Sequence, residues 1–456
     1  MNDNLDVIIL AAGLGTRMKS KTIKILHRAA GRPIIDYVLD LARDVGATTP
    51  VMVIGHQRDA VQQAVGDRAR FAIQEEQLGT GHAVLQAAPA VTNRRVLILS
   101  GDVPLTRPET LRALIEQHER EGNAMTLLTM RLDDPAMYGR IVRDDSGAVV
   151  RIVEAKDASD DEKRIDEVNG GIYVFDAARL FDNLRNLSTS NAQGEYYLTD
   201  LVGMLGGAGH RVGAVVADDW MEAIGVNSRG ELAMVDTVIQ HRVIERLMDE
   251  GVTFRNPNTV VIDSTVTIER DTVIYPFVTL EGKTRIGPKC VVEPGVHLIN
   301  ITAGANVHLK TGTVDEDAII EDDANVGPYA HLRPGTKLGR RVKVGNFVET
   351  KKAVFGEGAK ASHLSYIGDA DVGADVNIGA GTITCNYDGV NKNKTTIEDG
   401  AFIGSDTQLV APVRVGRGAY VGAGSTITKD VPAEALALSR VPQRIVEGWA
   451  KKRKKK

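Results

Sequence analysis

Two cations near the start of the chain, Arg17 and Lys24, have surroundings suited to holding phosphates. Arg17 lies in a glycine-rich segment, LAAGLGTRM at positions 10–18, which we call the glycine-rich loop. The loop follows an apolar run at positions 7–9, and a buried strand that ends in such a turn brings backbone N–H groups close to phosphates. The pattern therefore predicts a site that holds a nucleoside triphosphate and stabilises charge on its α-phosphate.

The glycine-rich loop differs from the two commonest phosphate-binding motifs. It lacks the terminal Gly-Lys-Ser/Thr of a P-loop, and Met18 stands where a Rossmann fingerprint has its third glycine. An ordinary strand–turn–helix connection is the alternative interpretation of the loop taken alone.

Polar residues follow two further apolar runs. Asp102 stands in SGDVPL at positions 100–105, after a predicted strand. An acid at the carboxyl end of a strand faces the ligand crevice of an α/β sheet, and Mg²⁺ takes one or two protein oxygens together with phosphates. Asp102 is therefore a candidate metal ligand, with a turn-capping aspartate as the alternative. Gln74 and Gly79, in another such stretch, can pair with a base edge and allow its close approach.

A histidine offers a different chemistry in the second half of the chain. His363 stands in ASHLSY at positions 361–366, upstream of CNYDG at positions 385–389. An imidazole can take the proton of an attacking amine near neutral pH. A lone histidine is more often structural, so both interpretations remain open on the residues alone.

Two pairs of residues share a spacing of 18 positions, Arg333 with Lys351 and Ser405 with Ala423. If 18 residues make one coil, each pair is stacked about 4.8 Å apart. Stacked cations repel each other, and a sugar phosphate between them would relieve the repulsion; solvated surface cations are the alternative. Stacked small residues leave a groove that suits the pantetheine arm of coenzyme A, or else they form a tightly packed turn.

The elements that must position the first set of residues alternate in type over residues 1–229. Strands are predicted at 7–10, 51–54, 71–74, 96–100, 124–130 and 171–175, and helices at 33–45, 60–65, 81–88 and 109–120. Apolar strands separated by helices indicate a mostly parallel sheet covered on both faces. Residues 230–250 carry a helical apolar stripe and are predicted to form a linker helix.

From about residue 260 the apolar residues recur every six positions. They are Ile268, Ile274, Leu280, Ile286, Val292 and Leu298; Val326, Leu332, Leu338 and Val344; and Ile397, Ile403, Leu409, Val415, Val421 and Ile427. Hexapeptide repeats predict a parallel β-helix in residues 251–456. The period slips near 350–356 and is lost at 384–396, where loops are expected to leave the β-helix.

Bulk properties exclude several classes of protein. The 456 residues carry a formal net charge of −5, which gives no basic field for nucleic acid. The two cysteines make neither a disulfide framework nor a zinc site, and no stretch approaches a membrane span. With the acidic opening MNDNLD, these features predict a cytoplasmic protein. The basic run at positions 451–456 is predicted to be a solvated, disordered tail.

Motifs along nearly the whole chain resemble one enzyme family, the bifunctional N-acetylglucosamine-1-phosphate uridyltransferases/glucosamine-1-phosphate N-acetyltransferases. They are LAAGLGTRM, QEEQLGTGHA, GDVPL, YGRI, NAQGEYYLTD, GVNSR and NIGAGTITCNYD. The resemblance implies a nucleotidyltransferase domain followed by a left-handed β-helix of the hexapeptide acyltransferase type. It also implies a homotrimer with acetyltransferase sites shared between chains, and a product that feeds peptidoglycan and lipopolysaccharide synthesis.

For the first domain, the resemblance implies uridylyl transfer from UTP to N-acetylglucosamine 1-phosphate with Mg²⁺ as cofactor. It implies that Asp102 and Asn227 bind the metal and that Arg17 and Lys24 are catalytic through phosphate stabilisation. The residues implied to bind nucleotide or sugar are Leu10, Ala11, Ala12, Gly13, Lys24, Gln74, Gly79, Thr80, Ser100, Gly101, Asp102, Gly139, Glu154, Asn169 and Asn227.

For the second domain, the resemblance implies acetyl transfer from acetyl-CoA to glucosamine 1-phosphate, with His363 as general base. Acetylation precedes uridylylation, because its product is the substrate of the first domain. The implied sugar-phosphate ligands are Arg333, Lys351, Tyr366 and Asn377, and the implied acetyl-CoA ligands are Ala380, Asn386, Tyr387, Ser405, Ala423 and Arg440.

Three positions depart from the family pattern. Ile23 replaces the usual proline before Lys24, Ala155 stands in a segment that usually reads E-H-K-D, and Gly170 in one that usually reads N-T-G. Loss of the proline is expected to loosen the approach of Lys24. Two other interpretations are a nucleotidyltransferase with a regulatory β-helix, as in ADP-glucose pyrophosphorylases, and a passive hexapeptide scaffold like those in translation initiation factor subunits.

Overall fold

The structure of the protein is a computed structural model that describes residues 5–13 and 15–453. Leu14 of the glycine-rich loop, the acidic opening at 1–4 and the last three lysines of the predicted tail lie outside the described residues. The chain folds as two units, residues 1–239 and residues 240–456. Among the described residues, no helix has the length and apolar character needed to cross a bilayer.

The first unit is built from eleven described strands and six helices, followed by a long helix. The strands are β1 (Leu5–Leu10), β2 (Arg28–Ala29), β3 (Arg32–Pro33), β4 (Val51–Ile54), β5 (Arg70–Ile73), β6 (Arg95–Ser100), β7 (Met125–Arg131), β8 (Arg140–Arg143), β9 (Val149–Val153), β10 (Glu167–Asp176) and β11 (Val212–Val216). The helices are α1 (Ile34–Asp44), α2 (Arg58–Val65), α3 (Thr80–Gln86), α4 (Pro108–Glu121), α5 (Ala177–Leu184), α6 (Leu201–Gly207) and α7 (Arg229–Asp249).

The main sheet runs in the order β11-β7-β10-β6-β1-β4-β5, with β8 and β9 attached beside β10. Strands β1, β4, β5 and β6 pair in parallel, and β10 is antiparallel to both β6 and β7. Ile8 and Ile9 are both fully buried but pack into different apolar clusters, because successive side chains of a strand point to opposite faces. The sheet is therefore covered on both faces, as its continuous apolar strands predicted.

After the second half of α7 (residues 240–249), the second unit consists of short strands with one small helix at its end. The strands are β12 (Thr253–Phe254), β13 (Val261–Ile262), β14 (Thr267–Ile268), β15 (Val273–Ile274), β16 (Thr279–Glu281), β17 (Arg285–Ile286), β18 (Val291–Val292), β19 (His297–Ile299), β20 (Thr302–Ala303), β21 (His308–Leu309), β22 (Val314–Glu316), β23 (Ile319–Ile320), β24 (Asn325–Val326), β25 (His331–Leu332), β26 (Lys337–Leu338), β27 (Lys343–Asn346), β28 (Glu349–Phe355), β29 (Lys360–His363), β30 (Tyr366–Val372), β31 (Asn377–Ile378), β32 (Ile383–Cys385), β33 (Thr395–Ile397), β34 (Phe402–Ile403), β35 (Gln408–Val410), β36 (Val413–Val415), β37 (Tyr420–Val421), β38 (Thr426–Ile427) and β39 (Leu436–Ala437). The helix is α8 (Trp449–Arg453).

Each early strand of this unit pairs in parallel with the third strand after it, so three strands make one coil and the coils have three faces. With its hexapeptide repeats, this architecture is consistent with a left-handed parallel β-helix. The apolar residues of the predicted hexads all point inward, and Leu280, Leu298 and Val344 are fully buried. A continuous column of side chains on the inner side of each face forms the core.

The coil length varies more than the hexad pattern predicted. Ile274 pairs with Val292, 18 positions on, whereas Leu298 pairs with Asp315, only 17 positions on. Val372 pairs with Ile397 across a longer insertion, which is where the sequence loses its period. We call residues 386–394, which leave the β-helix there, the excursion loop.

Residues 451–453 differ from their prediction. Lys451 to Arg453 form the last residues of α8, and the Arg453 guanidinium lies 4.9 Å from the Trp449 ring centroid. These basic residues are exposed, as predicted, but they are helical and not irregular.

Candidate functional sites

A cavity of about 350 Å³ opens at the carboxyl ends of β1 and β6. It contains many of the predicted nucleotide-binding residues: Leu10, Ala11, Ala12, Gly13, Lys24, Gln74, Gly79, Thr80, Ser100 and Asp102. It is also lined by Gln77 and Glu195, which the sequence analysis did not single out. Glu195 lies within the NAQGEYYLTD motif, so the motif marked the segment without identifying the side chain.

Lys24 and Asp102 line this cavity, and Asn227, from a distant part of the chain, joins them through Lys24. Lys24 Nζ donates hydrogen bonds to Asp102 Oδ2 and, over 3.0 Å, to Asn227 Oδ1. A carboxylate oxygen and an amide oxygen thus converge on one positive charge. Hard oxygen donors of this kind are those that Mg²⁺ prefers, so the two residues fit the predicted metal site.

The two candidate metal ligands are held by the backbone around them. Val226 N–H donates to the Asp102 carbonyl over 2.8 Å, which ties the two ligand segments together. Asn227 N–H donates to Glu231 Oε2 over 2.7 Å, and Glu231 N–H donates to Ser228 Oγ over 3.2 Å. Ser228 thus caps the first turn of α7, and Glu231 in that turn accepts from the N–H one residue before the cap, a pattern close to a capping box. The first turn of α7 therefore fixes the backbone from which Asn227 reaches Lys24.

The glycine-rich loop and the residue before Lys24 explain how the lysine reaches this position. A Cβ atom on Gly15 would lie 2.8 Å from the Lys24 Cβ atom, so glycine gives the lysine its space. Ile23 has φ −58° and ψ 142°, which is the φ a proline would impose, and its side chain is buried. Ile23 thus adopts the φ that the proline of the family pattern would impose, and the loosening of Lys24 stays a prediction.

Arg17 is exposed, close enough to Tyr138 for its charge to act on that phenol. Burial raises the pKa of Tyr138, and the nearby Arg17 charge opposes that rise. Tyr138 Oη also accepts a hydrogen bond from Gly225 N–H, over 3.4 Å, two residues before Asn227. Tyr138 thus belongs to this edge of the cavity, although the sequence offered only the YGRI motif as a signal.

Gln74 is 3 % exposed and its amide is already engaged on one side. Its Nε2 donates to the Gly79 carbonyl over 3.1 Å and lies 3.0 Å from His82 Nδ1. The Oε1 atom is the part of the amide left to face a ligand. Gly79 has φ +109°, and a Cβ atom there would lie 2.7 Å from the Tyr196 carbonyl oxygen, so only glycine fits this turn.

The predicted sugar ligands lie together beside this cavity. Asn169 N–H donates to the Gly139 carbonyl over 2.8 Å, and Asn169 Nδ2 donates to Tyr173 Oη over 2.7 Å. A Cβ atom on Gly139 would lie 3.5 Å from both carboxylate oxygens of Glu154. Desolvation raises the pKa of Glu154, and the negative charge of Asp157 raises it further. These contacts bring the three predicted ligands into one group.

Local packing accounts for one departure from the family pattern. A Cβ atom at Gly170 would lie 2.9 Å from the Leu128 carbonyl oxygen and 3.0 Å from the Ala223 Cβ atom. In this chain Ala223 fills the space that a side chain at position 170 would need. Nothing in the structure explains Ala155.

In the second unit, His363 lies at the end of β29, paired with Asn346 at the end of β27. The His363 Nδ1 atom is 2.6 Å from Asn346 Oδ1. Following the strand register upward, the next coils place Ala380, Ser405 and Ala423 at the same position. We call Asn346, His363, Ala380, Ser405 and Ala423 the catalytic column.

The glycines that precede Ala380 and Ser405 have no room for a side chain. A Cβ atom on Gly379 would lie 2.5 Å from Ser405 N, and one on Gly404 would lie 2.5 Å from Ala423 N. Arg440 Nη1 donates to the Ala423 carbonyl over 2.9 Å, so the last predicted acetyl-CoA ligand also joins the column. The structure therefore groups Ala380, Ser405, Ala423 and Arg440.

Cations gather on the neighbouring face of the β-helix. The strand register places Arg333 beside Lys351, and Arg333 Nη1 donates to Glu349 Oε1 over 2.8 Å. Lys392 of the excursion loop lies next to Lys351 and lowers its pKa, with a smaller contribution from Arg333. Sequence reasoning did not single out Lys392, because only the folded loop brings it to Lys351.

The excursion loop also places Asn386. Its Nδ2 atom donates to Asp369 Oδ2 over 2.5 Å, which leaves the amide oxygen for a ligand. Asp388 accepts bonds from Val390 N–H and Asn391 N–H, over 2.8 and 2.6 Å, and so closes the loop. Tyr387 is exposed beside it.

One chain does not assemble all predicted acetyltransferase ligands on a single face. Asn377 begins β31 in the sheet that contains His363, whereas Lys351 lies on β28 in the other sheet. Tyr366 starts β30, just beyond the corner that follows His363. The predicted ligands thus fall into a column at one corner and a cluster on the next face.

The sequence matches family models in both units. A MobA-like NTP transferase domain matches residues 7–194, and the six-repeat bacterial transferase hexapeptide matches residues 317–352 and 394–429.

Full-length relatives share about half of their residues with this chain. "Bifunctional protein GlmU" of Pelobacter propionicus is 52% identical and covers 100% of both chains. The protein of that name from Heliobacterium modesticaldum is 52% identical over 97% of both. The one from Fervidobacterium nodosum is 50% identical over 99% of this chain and 98% of its own.

Proposed function

The chain belongs to the bifunctional GlmU family, with a nucleotidyltransferase domain and a hexapeptide acyltransferase domain, and from that premise we propose a location for each reaction. Uridylyl transfer takes place in residues 1–229, at the cavity that contains Lys24 and Asp102. Acetyl transfer takes place in residues 251–456, at the catalytic column and the excursion loop, with residues 230–250 as linker. The observation that carries the proposal is the contact of Lys24, at this cavity, with both Asp102 and Asn227.

In uridylyl transfer, a phosphate oxygen of N-acetylglucosamine 1-phosphate attacks the α-phosphorus of UTP. The bond to the β-phosphate oxygen breaks and pyrophosphate leaves. Asp102 and Asn227 hold Mg²⁺, which when bound supplies positive charge to the phosphates. Lys24 and Arg17 neutralise the charge that develops on the α-phosphate, so positioning and electrostatics do the work without a protein nucleophile.

The remaining residues of the first site bind and orient the two substrates. Gln74 presents its amide oxygen to the base, and Gly79 allows the base to come close. Glu154 and Asn169 accept the sugar hydroxyls, since both are polar groups held in fixed positions beside the cavity. The backbone of Leu10 to Gly13, with Thr80, Ser100, Gly101 and Gly139, completes the binding surface.

In acetyl transfer, the amine of glucosamine 1-phosphate attacks the thioester carbonyl of acetyl-CoA. His363 Nε2 takes the proton from the amine, the C–S bond breaks, and the CoA thiolate leaves and is protonated. Arg333 and Lys351 bind the sugar phosphate with Tyr366 and Asn377. The acetyl-CoA arm lies along Ala380, Ser405 and Ala423 towards Arg440, with Asn386 and Tyr387 beside it.

A trimer of this chain would complete the second site. Tyr329, Phe347 and Leu364 form an exposed apolar column at one corner, with 54, 56 and 61% of their surface accessible. The rings of Tyr329 and Phe347 stack with centroids 5.7 Å apart. Phe347 and Leu364 directly follow Asn346 and His363, so a second copy packed on this column would lie next to the base. That copy can supply the ligands that one chain leaves on another face.

The setting of the reactions follows from their substrates. UTP and acetyl-CoA are cytoplasmic metabolites, and both cysteines, Cys290 and Cys385, are free thiols. These facts support a cytoplasmic enzyme.

The proposal is tested by assembling the full reaction. Wild-type protein with Mg²⁺, UTP, acetyl-CoA and glucosamine 1-phosphate is expected to form UDP-N-acetylglucosamine. Without acetyl-CoA it is expected to form none until N-acetylglucosamine 1-phosphate is added. Pyrophosphate release without any CoA release would instead favour a regulatory β-helix, and absence of both would favour a passive scaffold.

A further inference from the structure

The side chain of Asn346 makes one contact that the proposed reactions do not yet use. Asn346 Oδ1 lies 2.6 Å from His363 Nδ1, on the coil that precedes His363. On the opposite side of His363, the catalytic column continues with Ala380. Asn346 therefore closes the column behind the imidazole, on the side away from the proposed acetyl-CoA groove.

An amide oxygen can only accept a hydrogen bond, so the ring nitrogen opposite it must be the donor. A neutral imidazole carries one proton on one of its two nitrogens, and the partner of one nitrogen decides where that proton lies. The contact with Asn346 places the proton on Nδ1. The lone pair is then on Nε2, which is the nitrogen that a general base needs.

The contact also fixes the direction of an exposed ring. His363 is solvent-exposed, and the ring of an exposed histidine changes rotamer freely unless it is held. Asn346 itself is anchored, because its carbonyl accepts a hydrogen bond from Leu364 N–H over 3.0 Å. Asn346 thus contacts two adjacent residues: its side-chain amide contacts His363, and its backbone carbonyl binds Leu364.

We propose that Asn346 is the positioning residue of acetyl transfer, holding His363 as the Nδ1–H tautomer with Nε2 free to act as base. The inference rests on the proposed role of His363. It explains why an amide stands here and not a carboxylate. An aspartate would hold the same tautomer but would stabilise the protonated ring and raise its pKa, so a smaller fraction of the ring would be in the base form near neutral pH.

The other titratable groups of the two paired strands stand apart from this contact. Lys343 and Lys360 face each other at the beginnings of β27 and β29, three positions before Asn346 and His363. Ala380, the next member of the column, cannot ionise. Among the side chains of β27 and β29, Asn346 is therefore the one that decides which ring nitrogen of His363 carries the proton.

The test compares Asn346→Ala and Asn346→Asp with wild type in the full-length protein. Asn346→Ala is expected to lower kcat for acetyl transfer by about 10- to 100-fold, part of what a general base contributes, with little change in KM. Asn346→Asp is expected to recover much of that rate at alkaline pH, with the acidic limb of the pH–rate profile moved upward. Uridylyl transfer should not change in either variant.

A spectroscopic measurement reports the tautomer without any turnover. Solid-state NMR of ¹⁵N-histidine-labelled, sedimented protein distinguishes Nδ1–H from Nε2–H rings, and a His363→Gln sample assigns the His363 signal by difference. Wild type is expected to show the Nδ1–H form, and Asn346→Ala a mixture of both forms. Asn325→Ala, one coil earlier on the same face, is the matched control and should match wild type.

The outcomes separate this inference from the proposed function. If His363→Ala retains CoA release, His363 is not the base and the proposed function fails at that residue. If His363→Ala abolishes CoA release while Asn346→Ala leaves the rate, the pH profile and the tautomer unchanged, the proposed function stands and the role of Asn346 is overturned.

Discussion

Lys24 Nζ lies 3.0 Å from Asn227 Oδ1, although 203 residues separate the two in sequence. The same ammonium group also contacts Asp102, so one positive charge holds two side-chain oxygens together. Lys24 therefore places a positive charge at the cavity beside the ends of β1 and β6.

Asn227→Ala removes one of these two oxygens. We expect the concentration of Mg²⁺ needed for half-maximal pyrophosphate release to rise about tenfold or more, because one neutral ligand is lost. Titration of the protein with Mn²⁺, followed by electron paramagnetic resonance, should show the same weakening without turnover. CoA release is the internal control, and unchanged Mn²⁺ binding would show that Asn227 is not a ligand.

Glu231→Ala tests the side-chain cap on Asn227 N–H. Loss of this cap is expected to cost about 1 kcal/mol of stability, measured by urea unfolding. The Mg²⁺ concentration needed for half-maximal pyrophosphate release should rise less than in Asn227→Ala, because Glu231 acts only through the backbone of Asn227. Glu231→Gln keeps an acceptor and should behave like wild type. Glu245→Ala, on the exposed side of α7, serves as control. If Asn227→Ala and Glu231→Ala raise the required Mg²⁺ concentration equally, the assignment of Glu231 as a support for Asn227 is contradicted.

Asp315 is a carboxyl in the apolar core of the β-helix, stacked between Leu298 and Leu332. It is fully buried, and its Oδ2 atom has no hydrogen-bond partner among the described residues. Burial raises its pKa well above the usual range. The folded protein therefore holds this proton at pH values where the unfolded chain has lost it, so stability falls as pH rises above about 4 towards the folded pKa.

Asp315→Leu replaces the carboxyl by an isosteric apolar side chain. We expect it to stabilise the protein by about 1–3 kcal/mol at pH 7, because a buried polar group without a full set of partners is removed. The gain should shrink as pH is lowered towards 4. Asp315→Asn cannot ionise, so it should lose the pH dependence without a comparable gain. Urea unfolding between pH 4 and 8 measures both, and a pH-independent difference between Asp315→Leu and wild type would contradict the argument.

Phe347→Glu tests the exposed apolar column as a trimer interface. A charge at its centre is expected to shift the protein towards monomers in sedimentation velocity. CoA release should fall at least tenfold, while pyrophosphate release should persist. Val354→Glu, which adds the same charge at an exposed position in the second half of β28, is the control. A monomeric variant with full CoA release would show that one chain holds a complete acetyltransferase site.

Periodicity in the sequence was sufficient to predict the β-helix, since one inward apolar residue in six is a constraint that few other folds impose. It did not reveal the coils near Leu298 and Asp315, where the spacing is 17 and a carboxyl replaces an apolar residue. The hexad rule describes an average coil. Local turns that omit one residue keep the stacking of the side chains but break the count on which the rule depends.

The grouping of residues around the first cavity was predictable because they fall in motifs at strand ends. The supporting residues were not. In the sequence Glu231 is an ordinary helix residue, and only the structure shows that its carboxylate accepts from Asn227 N–H. Likewise, only the folded excursion loop brings Lys392 next to Lys351. Asn346 lies 17 positions before His363, a relationship that the 18-residue coil expected from sequence would have missed. These residues act through three-dimensional contacts that leave no local pattern.

The central claim is that the protein carries two activities at independent sites, and paired assays on Asp102→Ala and His363→Ala test it most directly. Pyrophosphate release from UTP and N-acetylglucosamine 1-phosphate is measured beside CoA release from acetyl-CoA and glucosamine 1-phosphate. We predict that Asp102→Ala loses the pyrophosphate signal by at least 100-fold and keeps CoA release, and that His363→Ala shows the reverse. Loss of both signals in either folded, trimeric variant, or of neither in both variants, would contradict the account.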